Sequence, residues 1–309
     1  DRRAAEASAG DRGVRAGFMK RLEDILGQPE DPGSLSARIA AFDQTLMEAV
    51  SRPESEARLA AAVDAARLLA FGLNRASDAI QEERARADTA IATAVTDLNS
   101  ALRQVREMNT EIRSSIGAGR DASALMDQRQ QIVDRIAELV PLREVERENG
   151  QIALMTTGGA VLLDGNEAVF GFTPVHTMVP EMTLASGGLS GLTLNGRPMA
   201  TAGETSLVLG GRLAGLFALR DELAVAGQGR LDALARDLVD RFGQSGLDPT
   251  LVPGAPGLFT DAGAAFNPLD EVGLSARIAL NAATDPQQGG AAFRLRDGLG
   301  AATIGPAGN

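Results

Sequence analysis

Apolar residues recur along this chain in two regimes, and the switch between them organises the rest. Leu59, Val63, Ala66, Ala70, Leu73, Ser77, Ile80, Arg84, Ala87 and Ile91 follow steps of four and three. After a one-residue stutter, Val95, Leu98, Leu102, Val105, Asn109, Ile112 and Ile116 continue the stripe. Heptad-like spacing without a proline predicts one long helix. Such a helix cannot bury its stripe alone; it needs a second helical segment, from this chain or another. Asn109 occupies a seam position, where a polar side chain either fixes register or is tolerated near a helix end.

Upstream, residues 1–26 are predicted helical through Val14, Phe18, Leu22 and Ile25 or Leu26, with a frayed start. Residues 27–33, with two prolines, form a loop. Ser34 then caps a helix carrying Leu35, Ile39, Phe42, Leu46 and Val50. Pro53 follows Ser51, where the long helix is expected to begin, since a first-turn proline is tolerated. Beyond Gly117-Ala118-Gly119, residues 122–140 form another helix with Leu125, Met126, Ile132, Val133, Ile136, Leu139 and Val140 on one stripe. Asp121 or Ser123 is its expected N-cap, and Pro141 stops it by pushing the preceding residue out of the α region. Asp127, Gln128 and Arg129 lie opposite the stripe. They are read as a solvated face or, alternatively, as a polar contact to another part of the chain or to a neighbouring subunit.

After Pro141 the period shortens. Short β-prone runs appear at 145–148, 152–155, 161–163, 169–173, 175–179, 182–184 and 192–194. Turn pairs Asn149-Gly150, Gly158-Gly159, Asp164-Gly165 and Asn195-Gly196 punctuate them. Helix returns at about Gly211 with Leu213, Leu216, Phe217, Arg220, Leu223, Leu231, Leu234, Leu238, Val239 and Phe242, weakened in the middle by Gly227 and Gly229. From Gly246 onward proline and glycine predict loops, with short strands at 276–280 and 293–295. The expected fold is α+β, a long antiparallel helical bundle or rod domain with an inserted small antiparallel β domain. Its parts are 1–140, the first part of the helical rod; 141–205, the β insert, near the lower size limit for its own core; and 206–309, the second part of the rod with an irregular C-terminal segment.

Composition narrows the chemistry. The 309 residues include no cysteine, no Trp and no Tyr, so thiol chemistry and disulfides are excluded and cores must be aliphatic. A net charge of −11 disfavours nucleic acid and anionic membrane as partners. Arginine supplies nearly all the positive charge, Lys20 being the single lysine. No apolar run is long enough to span a membrane, and no secretory signal is visible. The chain opens at Asp1 within an expected helix and closes in Gly305-Pro306-Ala307-Gly308-Asn309, which reads as a fragment trimmed at both ends.

Candidate chemistry is sparse. His176, the only histidine, cannot build a usual zinc site without cysteine, and it lies in a β-prone run with no nucleophile elbow near it. The stretch around Ser190 lacks the second glycine that such an elbow requires. Lys20 has no phosphate-loop context. Gly210-Gly211 could offer free N–H groups to an anion, or serve as a hinge at a helix start. Residues 261–271 hold carboxylates without calcium-loop spacing. No catalytic, cofactor-binding or metal residue is assigned, no cofactor is expected, and the chain is not read as an enzyme.

Several stretches together carry a resemblance. Leu125-Met126-Asp127-Gln128-Arg129 with Ile132-Val133 is similar to the Leu-Leu-Asp-Gln-Arg-Asp-x-Leu helix of the flagellar hook-associated protein 1 family, the hook–filament junction proteins. The hairpin at Asn149-Gly150, the run to Leu163-Asp164-Gly165, and Gly210-Gly211-Arg212-Leu213-Ala214-Gly215-Leu216 with Arg220-Asp221 follow at the family's spacing. So does a Leu-rich helix ending near Gly246-Leu247-Asp248, and upstream Pro53-Glu54-Ser55-Glu56-Ala57-Arg58 resembles the family's turn into its long helix. The resemblance covers most of residues 1–250 and is patchy beyond. The chain departs from the family at Arg241-Phe242-Gly243, where an Asn is usual, in its short β region, and in lacking the family's paired helical ends.

The resemblance implies a structural protein of the bacterial flagellum that joins hook to filament and adapts one to the other. It implies export through the flagellar type III apparatus without a cleavable signal peptide, and an extracellular location on the flagellum. Implied partners are other copies of itself in a ring at the hook tip, the hook protein, the second junction protein and an export chaperone; the isolated fragment is expected to be monomeric. Competing readings are a filament-type subunit or the second junction protein, a coiled-coil adaptor or scaffold dimerising through the Leu59–Ile116 stripe, and a hydrolase or lyase with an unrecognised carboxylate pair.

Overall fold

The computed structural model describes residues 2–203, 206–244 and 246–305. The chain start at Asp1, the end of the expected β insert at 205 and the last four residues lie outside them. Helix α1 spans Arg2–Leu26, α2 Leu35–Ser51, α3 Glu56–Gly117 and α4 Ser123–Leu139. Strands β1 (Leu142–Glu146), β2 (Ile152–Thr156), β3 (Val161–Asp164) and β4 (Asn166–Glu167) make one antiparallel sheet in sequence order, and β5 (Phe170–Gly171), β6 (Leu192–Leu194) and β7 (Arg197–Met199) a second. Helix then resumes as α5 (Arg212–Ala218) and runs through a wide π turn at Leu219–Leu223 into α6 (Ala224–Phe242). The remainder is mostly loop, with β8 (Phe259–Asp261) paired to β9 (Ile278–Leu280), the single-turn helix α7 (Leu274–Arg277) and the single-turn helix α8 (Arg294–Asp297). The fold is thus α+β: long helices with small antiparallel sheets inserted between them.

The 62-residue α3 follows its stripe closely. Every stripe position from Leu59 to Ile112 is buried, the polar Ser77, Arg84 and Asn109 included, and only Ile116 at the end is half exposed. Residues such as Leu98, Leu102 and Ile112, fully buried, each contribute about 1.5–3 kcal/mol relative to exposure. Ser34 caps α2 as expected, its hydroxyl accepting from the Ala37 N–H at 3.1 Å. Two boundaries differ. Ser51 closes α2 instead of opening α3, and Pro53 sits in the intervening turn; the Ser51 hydroxyl donates back to the Glu48 carbonyl at 2.8 Å, which serves the carbonyl side of a helix end. The N-cap of α4 is Ala122, with Ser123 already helical. Asp121 sits one residue earlier, and its carboxylate accepts from the Ser123 N–H at 3.0 Å and the Ser123 hydroxyl at 2.6 Å. Those bonds hold the Asp121 carboxyl below its usual value.

The chain forms two compact units. One comprises residues 1–20 and 82–225, the other 21–81 and 226–309. In the first, α4 turns back along α3 and both pack against the two small sheets and α5. Leu98, Leu102 and Val105 of α3, Ile132, Val133 and Ile136 of α4, Leu154 and Leu162 of the sheet and Phe217 of α5 share one core. The two Asn-Gly turns behave as their composition requires, with Asn149 (φ 55°) and Gly150 (φ 71°), and Asn195 (φ 51°) and Gly196 (φ 76°), all left-handed. In the second unit, Phe42, Phe242 and Phe259 form a mutual ring cluster with centroids 5.5–5.6 Å apart. A smaller cluster joins Ala49, Leu59 and Ala62 to Leu295.

Three predicted strands are absent. Residues 175–179 and 182–184 are irregular, because side chains from α3 take up their backbone groups, as described below. Residues 293–295 enter α8. There Arg294 reaches back to the Ala301 and Ala283 carbonyls, which a strand would not allow. Conversely, β8 pairs with a strand that begins at Ile278, two residues later than expected, after the turn of α7. Gly227 and Gly229 do not break α6. A methyl at Gly227 would meet Ile80 and Leu22 only at ordinary contact distance.

Candidate functional site

The most built part of the first unit is a line of polar side chains on α3 that grip the backbone of the segment from Ile152 to Met182. Asn109, Asn99, Asp88 and Arg84 are spaced by ten, eleven and four residues, so at about 3.6 residues per turn they fall within a band roughly 80° wide along one side of the helix. Asn109 accepts from the Ile152 N–H at 3.2 Å and donates to the Ile152 carbonyl at 2.8 Å. Asn99 does the same with Phe170, at 2.9 Å and 2.8 Å. Asp88 accepts from the Val175 N–H at 2.7 Å. Arg84 donates to the Val179 carbonyl at 3.1 Å and the Met182 carbonyl at 2.5 Å. Each amide presents a donor and an acceptor to one residue's backbone, as a neighbouring strand would.

Both ends of this line are reinforced. Arg129 of α4 donates to the Asn109 side-chain oxygen at 2.8 Å and to the Gly150 carbonyl at 2.7 Å. Arg129 is buried while Asp127 and Gln128 are exposed, so the polar side of α4 is divided: two residues face solvent and the third reaches another part of the chain. Burial draws the Arg129 guanidinium below its usual value, against the charge of Glu144. At the other end Arg220, on the π turn, pairs with Asp88 at 2.6 Å; the side chains are 0% and 1% exposed. Arg220 also binds Asp221 at 2.8 Å and the Ser190 carbonyl at 3.0 Å, and its guanidinium lies 5.4 Å and 5.0 Å from the Phe172 and Phe217 ring centres. Burial lowers its pKa, but the bonds and charges of Asp221 and Asp88 outweigh that and raise it. Burial lowers Arg84 too; Asp221 opposes that effect and Arg220 adds to it.

A second buried polar network lies in the other unit. Gln228 of α6 accepts from the Ser77 hydroxyl at 3.0 Å and from the Gln81 amide at 2.9 Å, and donates to Asp232 at 2.9 Å and the Ser275 hydroxyl at 2.8 Å. Asp232 also accepts from the Gly273 and Ser275 N–H groups, both at 2.9 Å. Asn74 donates to the Ser275 and Ile278 carbonyls at 2.9 Å and 3.1 Å. The proline-rich C-terminal segment is therefore tied to two helices by the same device, side chain to backbone.

The residues considered for catalysis are not brought together. His176 is exposed. The Ser190 hydroxyl donates to the Thr173 carbonyl at 2.6 Å and accepts from the Thr173 N–H at 3.1 Å, so it closes a turn. Lys20 is exposed on α1. Gly211 opens α5, and a methyl there would lie 2.2 Å from the Leu139 carbonyl oxygen; the glycine pair serves close backbone approach at a helix start. Asp261 and Glu271 pair with Arg277 and Arg236. Among the described residues no group of three or more His, Cys, Asp or Glu could hold a metal, and no helix is long and apolar enough to cross a membrane. Asn99, Asp88 and Gln228 were not singled out by periodicity. Asn99 and Asp88 flank the stripe rather than occupy it, and nothing in sequence spacing marks a side chain that binds a distant backbone.

Comparison with known proteins places these features. Residues 19–249 match the family described as the flagellar hook-associated protein FlgK helical domain. A flagellar hook-associated protein 1 of Bacillus subtilis is 25% identical over 167 residues, covering 53% of this chain and 33% of that protein. One from Salmonella typhimurium is 24% identical over 194 residues, covering 56% and 35%. The chain thus spans about a third of the length of these curated relatives. The solved flagellar hook junction protein FlgK of Burkholderia pseudomallei has the same fold, with a TM-score of 0.66 at 20% identity over 84% of this chain and 46% of that one.

Proposed function

The chain belongs to the flagellar hook-associated protein FlgK family, whose helical domain it matches over residues 19–249, and from that premise we propose that it is a structural part of the junction between hook and filament. In this reading it works by holding shape rather than by chemistry, and it takes no cofactor. Residues 141–205 are the inserted β region, and 1–140 with 206–309 the helical part that carries it. Its partners are further copies of itself at the hook tip, the hook protein, the second junction protein and an export chaperone. It is exported through the flagellar type III apparatus to the outside of the cell.

The observation that supports this reading best is the line of backbone clasps along α3, closed by the buried Asp88–Arg220 pair. A part that links two tubes of different stiffness must carry load without letting its insert detach. Clasps at both backbone groups of Ile152 and Phe170 resist sliding and peeling alike. The test is deletion of the gene in the source organism, with electron microscopy of the cells and a blot of the medium for flagellin. Bare hooks with flagellin lost to the medium are expected; normal filaments would overturn the junction role.

A further inference from the structure

The outer face of α3 in the second unit carries a feature that its helical role does not need. Ala61, Asp64, Leu68, Phe71, Arg75 and Asp78 follow steps of three and four and are all exposed. This is the line opposite the buried stripe, where polar residues are the rule. At its centre stand Leu68, 49% exposed, and Phe71, 52% exposed. The line is also self-complementary. Turned end for end about the point midway between Leu68 and Phe71, it sets Leu68 opposite Phe71, Asp64 opposite Arg75 and Ala61 opposite Asp78. Among the described residues Arg75 has no ion-pair partner, whereas Asp64 is held by Arg67 alone at 2.5 Å.

We propose that two copies of this chain pair antiparallel through this face, Leu68 packing on Phe71 of the second copy and Asp64 facing Arg75 on either side. The contact is isologous: one patch meets itself across a two-fold axis, so every pair occurs twice. The apolar centre is small, well short of a standard interface, so the association is weak and depends on concentration. A two-fold pair has opposed ends and belongs to free copies, not to an array in which every copy points the same way. The proposal stands independently of the junction role, and it replaces the expectation that the isolated chain stays monomeric, which rested on the missing helical ends alone.

Sedimentation equilibrium over a concentration series tests it. The wild-type chain is expected to shift toward twice the monomer mass as concentration rises, and Leu68→Glu to stay monomeric with unchanged far-UV circular dichroism. Asp64→Arg alone and Arg75→Asp alone each place like charges opposite each other twice, and each should weaken pairing about tenfold. Mixed in equal amounts, those two variants set opposite charges at both positions, and pairing should return to the wild-type level. The chain has no cysteine, so a spin label at Ala61→Cys reports direction: residue 61 of one copy lies beside residue 78 of the other, and the two labels should be about 25 Å apart along the helix axis. A wild-type chain that remains monomeric at millimolar concentration overturns the proposal. So does a dimer that ignores both charge variants, or one whose mixture fails to recover.

Discussion

Replacing Asn109 by Ala probes the clasp where it is driest. The substitution removes three hydrogen bonds, at 2.8 Å to the Ile152 carbonyl, at 3.2 Å from the Ile152 N–H and at 2.8 Å from Arg129. Ile152 is 3% exposed and Asn109 5%, so water does not take over. An orphaned buried backbone group costs about 1–3 kcal/mol. Two such groups, with Arg129 keeping only the bond it already makes to Gly150, give an expected loss of about 3–4 kcal/mol. Asn99→Ala removes the same pair of bonds from Phe170. Asn99 is half-buried, however, so solvent can satisfy part of what is left, and the loss should be about 1–2 kcal/mol. Asn109→Leu should cost as much as Asn109→Ala, since filling the space does not return the partners. The chain lacks Trp and Tyr, so urea unfolding is best followed by far-UV circular dichroism, with hydrogen exchange across β2 as the local readout. A loss below about 1 kcal/mol at Asn109, or an equal loss at both positions, would refute the argument that burial makes the clasp strong.

Four further outcomes follow from the same geometry. Asp88→Asn leaves the buried Arg220 charge with Asp221 alone, and should cost about 3 kcal/mol in urea unfolding. Gly211→Ala would place a methyl 2.2 Å from the Leu139 carbonyl, so the end of α4 and the start of α5 must separate, and hydrogen exchange at both should rise sharply. Gly150→Ala meets Ile116, Met126 and Ile112 at a φ of 71°, and should cost about 1–3 kcal/mol by the same unfolding assay. Burial tends to raise the Asp248 pKa, but hydrogen bonds from Thr250 and Leu299 lower it below its model-peptide value of 3.8. The tie is therefore fully present above the unfolded value and lost as pH falls through the folded one. A carboxyl-carbon NMR titration of Asp248 should show its midpoint below 3.8, moving upward in Thr250→Ala.

The helices were legible because their signal is long. A stripe of seventeen positions leaves little room for error, and its polar members, Ser77, Arg84 and Asn109, proved as buried as the apolar ones. The Asn-Gly hairpins were legible because two successive left-handed residues demand that chemistry. What could not be read is where the backbone finds its partners. Residues 175–184 have strand-like composition, but Asp88 and Arg84 lie within reach of their N–H and C=O groups, and the segment stays irregular. At Arg129 the two readings differed only in whether a partner lay within reach, which depends on residues twenty positions away. Exposed and buried polar residues carry the same letters.

The clasps on α3 address main-chain atoms, and main-chain atoms are the same in every residue but proline. The grip on Ile152, Phe170, Val175, Val179 and Met182 therefore asks little about what those side chains are, whereas Arg84, Asp88, Asn99 and Asn109 have almost no freedom. Random libraries over the two sets should show this asymmetry: many tolerated replacements in the irregular stretch 175–184, few at the four gripping positions. A lineage could in this way recast the surface that the gripped segment shows to the outside, residue by residue, while the attachment beneath it stays unchanged.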